Sequence, residues 1–359
     1  MTTTTSLNNQ ELSEPITMMV FNDEFNQPVD DLPSTLTSIK FGKKFNQPVD
    51  KLPSKLTSLE FGDEFNYPVD KLPSGLFQLS FGYAFNQPVD NLPSNLKKLS
   101  FGYKFNKSVD NLPSGLSRLH FFGKFNQSVD KLPPHLTDLS IGWKFNQSVD
   151  NLPPGLLKLS LDGDFDRSVD RLPIELKQLE FGGRFNQPVD KLPSGLNRLE
   201  FGILSKFNRT LSQLPTGLVS LSIGGNKFKQ NIDELPSALV FLKVTTDPFN
   251  SPIDKLPGNL KILSIISKEF NQPVDKLPSQ LDQLFIDSTK FNQLVNQLPA
   301  NLTDLTIHSE DLWQVVDGLP ATLKEVDIKS YSRIGETIHE FRIDITEVPT
   351  SHKKLKLIE

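Results

Sequence analysis

The chain has 359 residues, a formal net charge of -5 and no cysteine. Disulfides, thiolate metal sites and cysteine nucleophiles are therefore excluded, and the near-balanced charge lacks the basic footprint of a nucleic-acid binder. No apolar run reaches the roughly 18 residues that a membrane-spanning helix needs.

Residues 1–11 are polar, rich in Thr and Asn, and are expected to form a disordered tail without the apolar segment of a secretory leader. Together with the missing cysteines this points to a cytoplasmic protein. Residues 12–24 place Leu12, Ile16, Met19 and Phe21 at the spacing of the later strand positions, and are expected to be an N-terminal capping half-repeat.

From Phe25 onward one phrase recurs. A clean copy opens with Phe45-Asn46-Gln47-Pro48-Val49-Asp50, passes Leu52-Pro53 and closes with Leu56, Leu59 and Phe61. The leading Phe returns every 20 residues from Phe25 to Phe185, then at Phe207, Phe228, Phe249, Phe270 and Phe291. A period of 20 to 22 residues is the mark of a solenoid. Leu59 and Phe61 fall on one face of an extended segment, and Ser58 and Glu60 on the other, which predicts a short half-buried strand. The two prolines of the return leg, Pro48 and Pro53, exclude a helix interior there.

The predicted fold is a β-rich, right-handed parallel β-solenoid of leucine-rich-repeat type. It has one short strand per 20–22-residue coil, a Pro-rich extended convex side and little or no helix. It is expected to span residues 25–328. Residues 329–340 form an insertion, and 341–359 are a C-terminal capping repeat opening at Phe341.

The phrase Phe-Asn-x-Pro-Val-Asp-x-Leu-Pro-x-x-Leu-x-x-Leu-x-Phe resembles the FNIP repeat family. These relatives of leucine-rich repeats are typical of social amoebae and of giant viruses that infect amoebae. The resemblance implies a protein-interaction scaffold without catalysis. Many such proteins carry an N-terminal F-box that recruits a ubiquitin ligase. The roughly 24 residues before Phe25 are too few for that domain, so a substrate-recognition arm for a ubiquitin ligase is an alternative only.

The Phe and Leu columns are core. The Asn column, with Asn46, Asn66 and Asn86, is expected to form a structural ladder, since an amide can both donate and accept between coils. The Asp column, with Asp50, Asp70 and Asp90, would stack carboxylates about 5 Å apart. These are expected to cap turns, Asp50 accepting the Leu52 N–H. Calcium needs six to eight oxygens, which the Val, Leu and Pro neighbours do not supply, so no metal or other cofactor is expected.

The exposed strand positions vary from coil to coil, as a binding face requires. Phe241, Ile262 and Phe285 are predicted to occupy equivalent exposed slots in three successive coils and to form a continuous apolar ladder on the concave face. Tyr83, Tyr103, Phe122 and Trp143 follow their strands along one edge. These seven residues are the candidate partner-binding set. His120 is the one histidine expected on the concave face, and no Ser/His/Asp set stands out, so no catalytic residue is assigned. The favoured function is a non-enzymatic scaffold that grips a protein partner, with no nucleic acid and no membrane. The alternatives are a structural protein that self-associates as a homo-oligomer, and a glycan-binding solenoid that uses the edge aromatics.

Overall fold

The structure, a computed structural model, describes residues 15–312, 318–334 and 337–344. One 17-stranded sheet runs along these residues, each strand pairing with the next in sequence. The first four strands have three residues: β1 (Met18–Val20), β2 (Ser38–Lys40), β3 (Ser58–Glu60) and β4 (Gln78–Ser80). The next six have four: β5 (Lys98–Phe101), β6 (Arg118–Phe121), β7 (Asp138–Ile141), β8 (Lys158–Leu161), β9 (Gln178–Phe181) and β10 (Arg198–Phe201). Longer strands follow: β11 (Ser220–Gly225), β12 (Phe241–Thr246), β13 (Ile262–Ile266), β14 (Gln283–Asp287) and β15 (Asp304–Ser309). A hairpin of β16 (Glu325–Ile334) and β17 (Thr337–Asp344) ends the sheet. β1 to β16 are parallel, and none of the described residues is helical. Consequently no helix among them is long and apolar enough to cross a membrane.

The return leg is built as its prolines dictate. Leu56 N–H closes a turn onto the Pro53 carbonyl at 3.2 Å, and Thr57 N–H then reaches the Thr37 carbonyl of the previous coil at 2.8 Å. Backbone groups that cannot join a sheet ladder at a corner are thus satisfied between coils.

Each 20-residue coil sends Phe45, Val49, Leu52, Leu56, Leu59 and Phe61, or their equivalents, into the interior, where they are buried except in the first coil, whose Phe25 and Leu32 are half-buried. No single coil could cover these side chains, so burial comes from stacking on neighbours. Strand and corner rings meet within the core: Phe61 lies 3.7 Å from Phe65, centroid to centroid. Phe45 and Phe65, one coil apart, are 6.0 Å apart and offset.

From β11 onward the interior changes. Ile223, Val244, Ile265, Ile286 and Ile307 replace the strand Phe. The 21-residue coils place Thr246, Ser267, Ser288 and Ser309 in the core as buried hydroxyls. Each donates to the carbonyl of the preceding coil's Phe. The distances are 3.3 Å from Thr246 to Phe228, 2.8 Å from Ser267 to Phe249, 2.8 Å from Ser288 to Phe270 and 2.7 Å from Ser309 to Phe291. This second ladder has a functional consequence. The strands run one or two residues longer, and their open face gains a third row of side chains.

At the C-terminal end, residues 329–334 and 337–340 lie in β16 and β17, whose backbone extends the sheet. Phe341, expected to open a last coil, stands in β17 opposite Ser330, because the chain turns back where Ile334 pairs with Thr337. The remainder of the expected C-terminal cap, the polar tail 1–11 and the start of the N-terminal half-repeat lie outside the described residues.

Candidate interaction face

The sheet has one face on the core and one open to solvent. Up to β10 the open face carries two rows. The first contains Lys98, Arg118, Asp138 and Lys158, and the second contains Ser100, His120, Ser140 and Ser160. From β11 a third row is added: Gly224, Thr245, Ile266, Asp287, His308 and Lys329. The longer strands thereby bring His308 to the open face as well as His120, nine strands away, which the sequence had placed there alone.

Neither histidine builds a catalytic set. His120 lies between Ser100 and Ser140 in register but makes no hydrogen bond to either. It stands 3.8 Å from Asp138 and holds that carboxyl below its usual range. His308 meets Asp327 at 3.2 Å, and Lys329 meets the same carboxylate at 3.1 Å. Burial there works to raise the Asp327 pKa, but these two hydrogen bonds outweigh it and leave the pKa lowered. Acyl-transfer chemistry requires the base to be bonded to its nucleophile, and that link is missing. Among the described residues no three His, Asp or Glu side chains gather as metal ligands would.

The apolar group differs from its expected register. Phe241 and Ile262 do pair directly across β12 and β13. The partner of Ile262 on β14, however, is Gln283, and Phe285 pairs with Ser264. Side chains alternate with a period of two, so Phe285 sits one row further along the strand. Its ring contacts His308 edge-on at 5.9 Å instead of extending a ladder. Ile266 in the third row, which the sequence reading passed over, adds an apolar group to the patch.

Beside this patch lies a groove of about 360 Å³. Its floor is β11, whose open-face residues Ser220, Ser222 and Gly224 are all small. The taller side chains of Arg198 and Glu200 stand on one side, and Phe241 and Lys243 on the other. Arg198 is held by Glu200 at 3.0 Å. Thr245 lines the groove, with its hydroxyl oxygen buried and without a hydrogen-bond partner. Ile203 forms part of the rim, and both Ile203 (76% exposed) and its neighbour Leu204 (79%) project to solvent. Both lie in the corner between β10 and Phe207. The available signal was two adjacent apolar residues between Gly202 and Ser205, where a turn favours polar ones.

The structural columns behave differently from each other. In the Asn ladder each side-chain Oδ1 accepts the backbone N–H of the next coil's residue, Asn66 onto Asn46 at 3.0 Å and Asn86 onto Asn66 at 2.8 Å. Only an acceptor is used in that step, so Asp166 serves equally, taking the Asn186 N–H at 2.9 Å. The Asp column does not cap its own turns. Asp50 accepts from Lys71 at 3.0 Å, Asp70 from Asn91 at 3.0 Å and Asp90 from Asn111 at 2.9 Å, each 21 residues on. Stacked carboxylates repel, and a Lys or Asn reaching across from the next coil relieves this better than a local N–H would.

Along the corner that follows the strands, Tyr83 and Tyr103 stack at 5.0 Å and 2°. Trp143 shares their column, whereas Phe122 is one residue earlier and Gly123 takes the column position. Gly123 has φ +89°, and a Cβ there would come within 2.5 Å of the Tyr103 ring. The edge cluster is therefore a stacked pair followed by two separate exposed rings.

The FNIP Repeat family profile matches residues 25–64, 45–84, 68–104, 85–124 and 165–203. Among solved structures, CroV588, a circular leucine-rich-repeat protein of a giant virus, superposes with a TM-score of 0.68 at 31% identity over 88% of this chain. The chain spans 57% of that protein's length. Internalin InlF of Listeria monocytogenes gives 0.52 at 15% identity, covering 82% of this chain and 87% of its own. Drosophila Toll, solved in complex with Spätzle, gives 0.64 at 14% identity, covering 86% of this chain and 49% of its own. The last two share the fold. No curated protein sequence matches the chain. The unit matched by the family profile is the same one whose Phe, Leu and Asn columns build the coils, and the chain is a member of the FNIP repeat family, folded as a parallel solenoid of leucine-rich-repeat type.

Proposed function

We propose that the protein is a non-enzymatic scaffold that holds a protein partner on the open face of β10 to β14. The observation that carries this is the apolar patch of Phe241, Ile262, Ile266 and Phe285 set against the groove floored by β11. Large apolar side chains on an otherwise polar sheet face, rimmed by Arg198, Glu200 and Lys243, match the make-up of interaction sites. The small floor residues admit a side chain from a partner. The cysteine-free sequence fits a reducing compartment, and we place the interaction in the cytoplasm.

The test is the double substitution Phe241→Ser with Phe285→Ser, compared with wild type in quantitative affinity capture followed by mass spectrometry. A bound protein should be lost at least tenfold while the melting temperature changes little. Unchanged capture per folded molecule would overturn the assignment. A second reading, self-association, is favoured by one observation: Ile16, Met18 and Val20 are all exposed at the first strand of the sheet. Sedimentation velocity separates the two, since self-association predicts a mass that rises with concentration and falls in a Met18→Lys, Val20→Lys variant.

A further inference from the structure

We propose that the corner following β4 to β7 is a docking site for an acidic peptide segment carrying an aromatic or apolar anchor. It lies several coils from the groove, so its failure would leave the proposed function untouched.

The first observation is a local imbalance of charge. At the end of this strip and beyond it, cations meet a carboxylate one coil away: Lys144 with Asp164 at 2.9 Å, Arg184 with Asp164 at 3.2 Å and Lys290 with Glu269 at 2.6 Å. Lys104 and Lys124 have no such partner among the described residues. Their ammonium groups lie over the rings of Tyr83 and Tyr103 instead, 5.5 and 5.9 Å from the centroids. On the adjoining open face, Lys98 is in no ion pair among the described residues, while Arg118 faces Asp138 in register without a close ion pair. The whole chain carries -5, so this corner is a positive strip on a negative molecule, and its field favours anionic partners.

The second observation is apolar. Phe122 (57% exposed) and Trp143 (62%) project from successive coils next to those lysines. Neither ring stacks on another. The column position between Tyr103 and Trp143 is Gly123, which contributes no ring to stack on Trp143. Exposed rings beside unpaired cations combine an apolar anchor with carboxylate recognition, as acidic-motif recognition by basic clusters does.

The pattern favours a peptide over a nucleic acid. A single strand needs a series of free ring faces for its bases, whereas the Tyr83 and Tyr103 rings already stack on each other and carry a lysine. A polyphosphate would also oppose the overall negative charge, while a few carboxylates match two or three cations.

The test uses three fluorescein-labelled probes and fluorescence anisotropy. One probe is a peptide of alternating Glu and Phe, one has Gln in place of Glu, and one is a U-rich RNA. The full chain should bind the Glu peptide at least tenfold more tightly than the Gln peptide, with affinity falling as salt rises. Lys104→Glu with Lys124→Glu should lose at least tenfold, Trp143→Ala several-fold, and the distant Lys55→Glu nothing. Should the charge reversals impair folding, Lys104→Gln with Lys124→Gln carries the same expectation in direction. In a Trp313→Phe background Trp143 is the sole indole, and its emission should shift as the Glu peptide binds. Equal affinity for both peptides, an unshifted Trp143, no loss in the variants or tighter binding of RNA would each overturn the proposal.

Discussion

At the scale of single residues, columns that look alike in sequence differ in what they contribute. The Asn ladder uses side-chain Oδ1 as an acceptor for the next coil's N–H, as Asn146 N–H onto Asn126 shows at 2.9 Å. Asn126→Asp should therefore change the urea midpoint little. Asn126→Leu should cost about 1–3 kcal/mol, because a backbone donor loses its acceptor. If Asp proved as damaging as Leu, the amide donors would be essential after all. The open face offers a pH-dependent case. Glu180 has its pKa raised by burial, then by the neighbouring Glu200 and Asp162. A carboxyl with a raised folded pKa gives stability at low pH that is lost as pH rises through that value. Glu180→Gln should accordingly raise the melting temperature at pH 7, with the difference vanishing below about pH 4, where the unfolded carboxyl is also neutral. Thermal melts of both proteins across pH check it, and a constant difference would contradict the assigned cause.

At the scale of the element, the coil comes in two designs. Most of the shorter coils stack two rings, as Phe81 does on Phe85 at 3.7 Å, while Ile141 and Leu161 take the place of the strand ring in two of them. The longer ones keep one ring and add a hydroxyl bonded across the core. Ser288→Ala should destabilise by about 1–3 kcal/mol by leaving the Phe270 carbonyl unpaired, measured by chemical denaturation. An unchanged midpoint would mean that water or a neighbour satisfies that carbonyl. The strand, the return leg, the core columns and the Asn ladder were all legible from the spacing alone, because alternation and Pro placement leave little freedom. The hydroxyl ladder was also written at regular spacing, but Thr246, Ser267, Ser288 and Ser309 look like solvent residues until a buried acceptor is seen beside them. The register of Phe285 was missed for a related reason. Three half-buried apolar residues of the open face at spacings of 21 and 23 resemble one column, and only the strand pairing shows that the last has moved one row. The partners of the Asp column were hidden because they lie 21 residues away, not two.

At the scale of the molecule, the described coils form one sheet whose stability is a sum of neighbour contacts. Its buried columns repeat, and its open face does not. The change at β11 divides that face into a two-row part and a three-row part, and the groove and apolar patch lie where the third row begins. Conserving the interior while varying the open face is how one scaffold can present a specific surface without altering its stack. The central claim is that a protein partner is held at this place and not on the Pro-rich return leg. The most direct measurement is site-specific photo-crosslinking in an extract of the source organism. A benzophenone side chain is placed either at Ser222, on the groove floor, or at Arg171, on the return leg. The account predicts a discrete crosslinked protein from position 222 that is absent with the Phe241→Ser, Phe285→Ser variant and absent from position 171. A discrete product from position 171 with none from position 222 would contradict it.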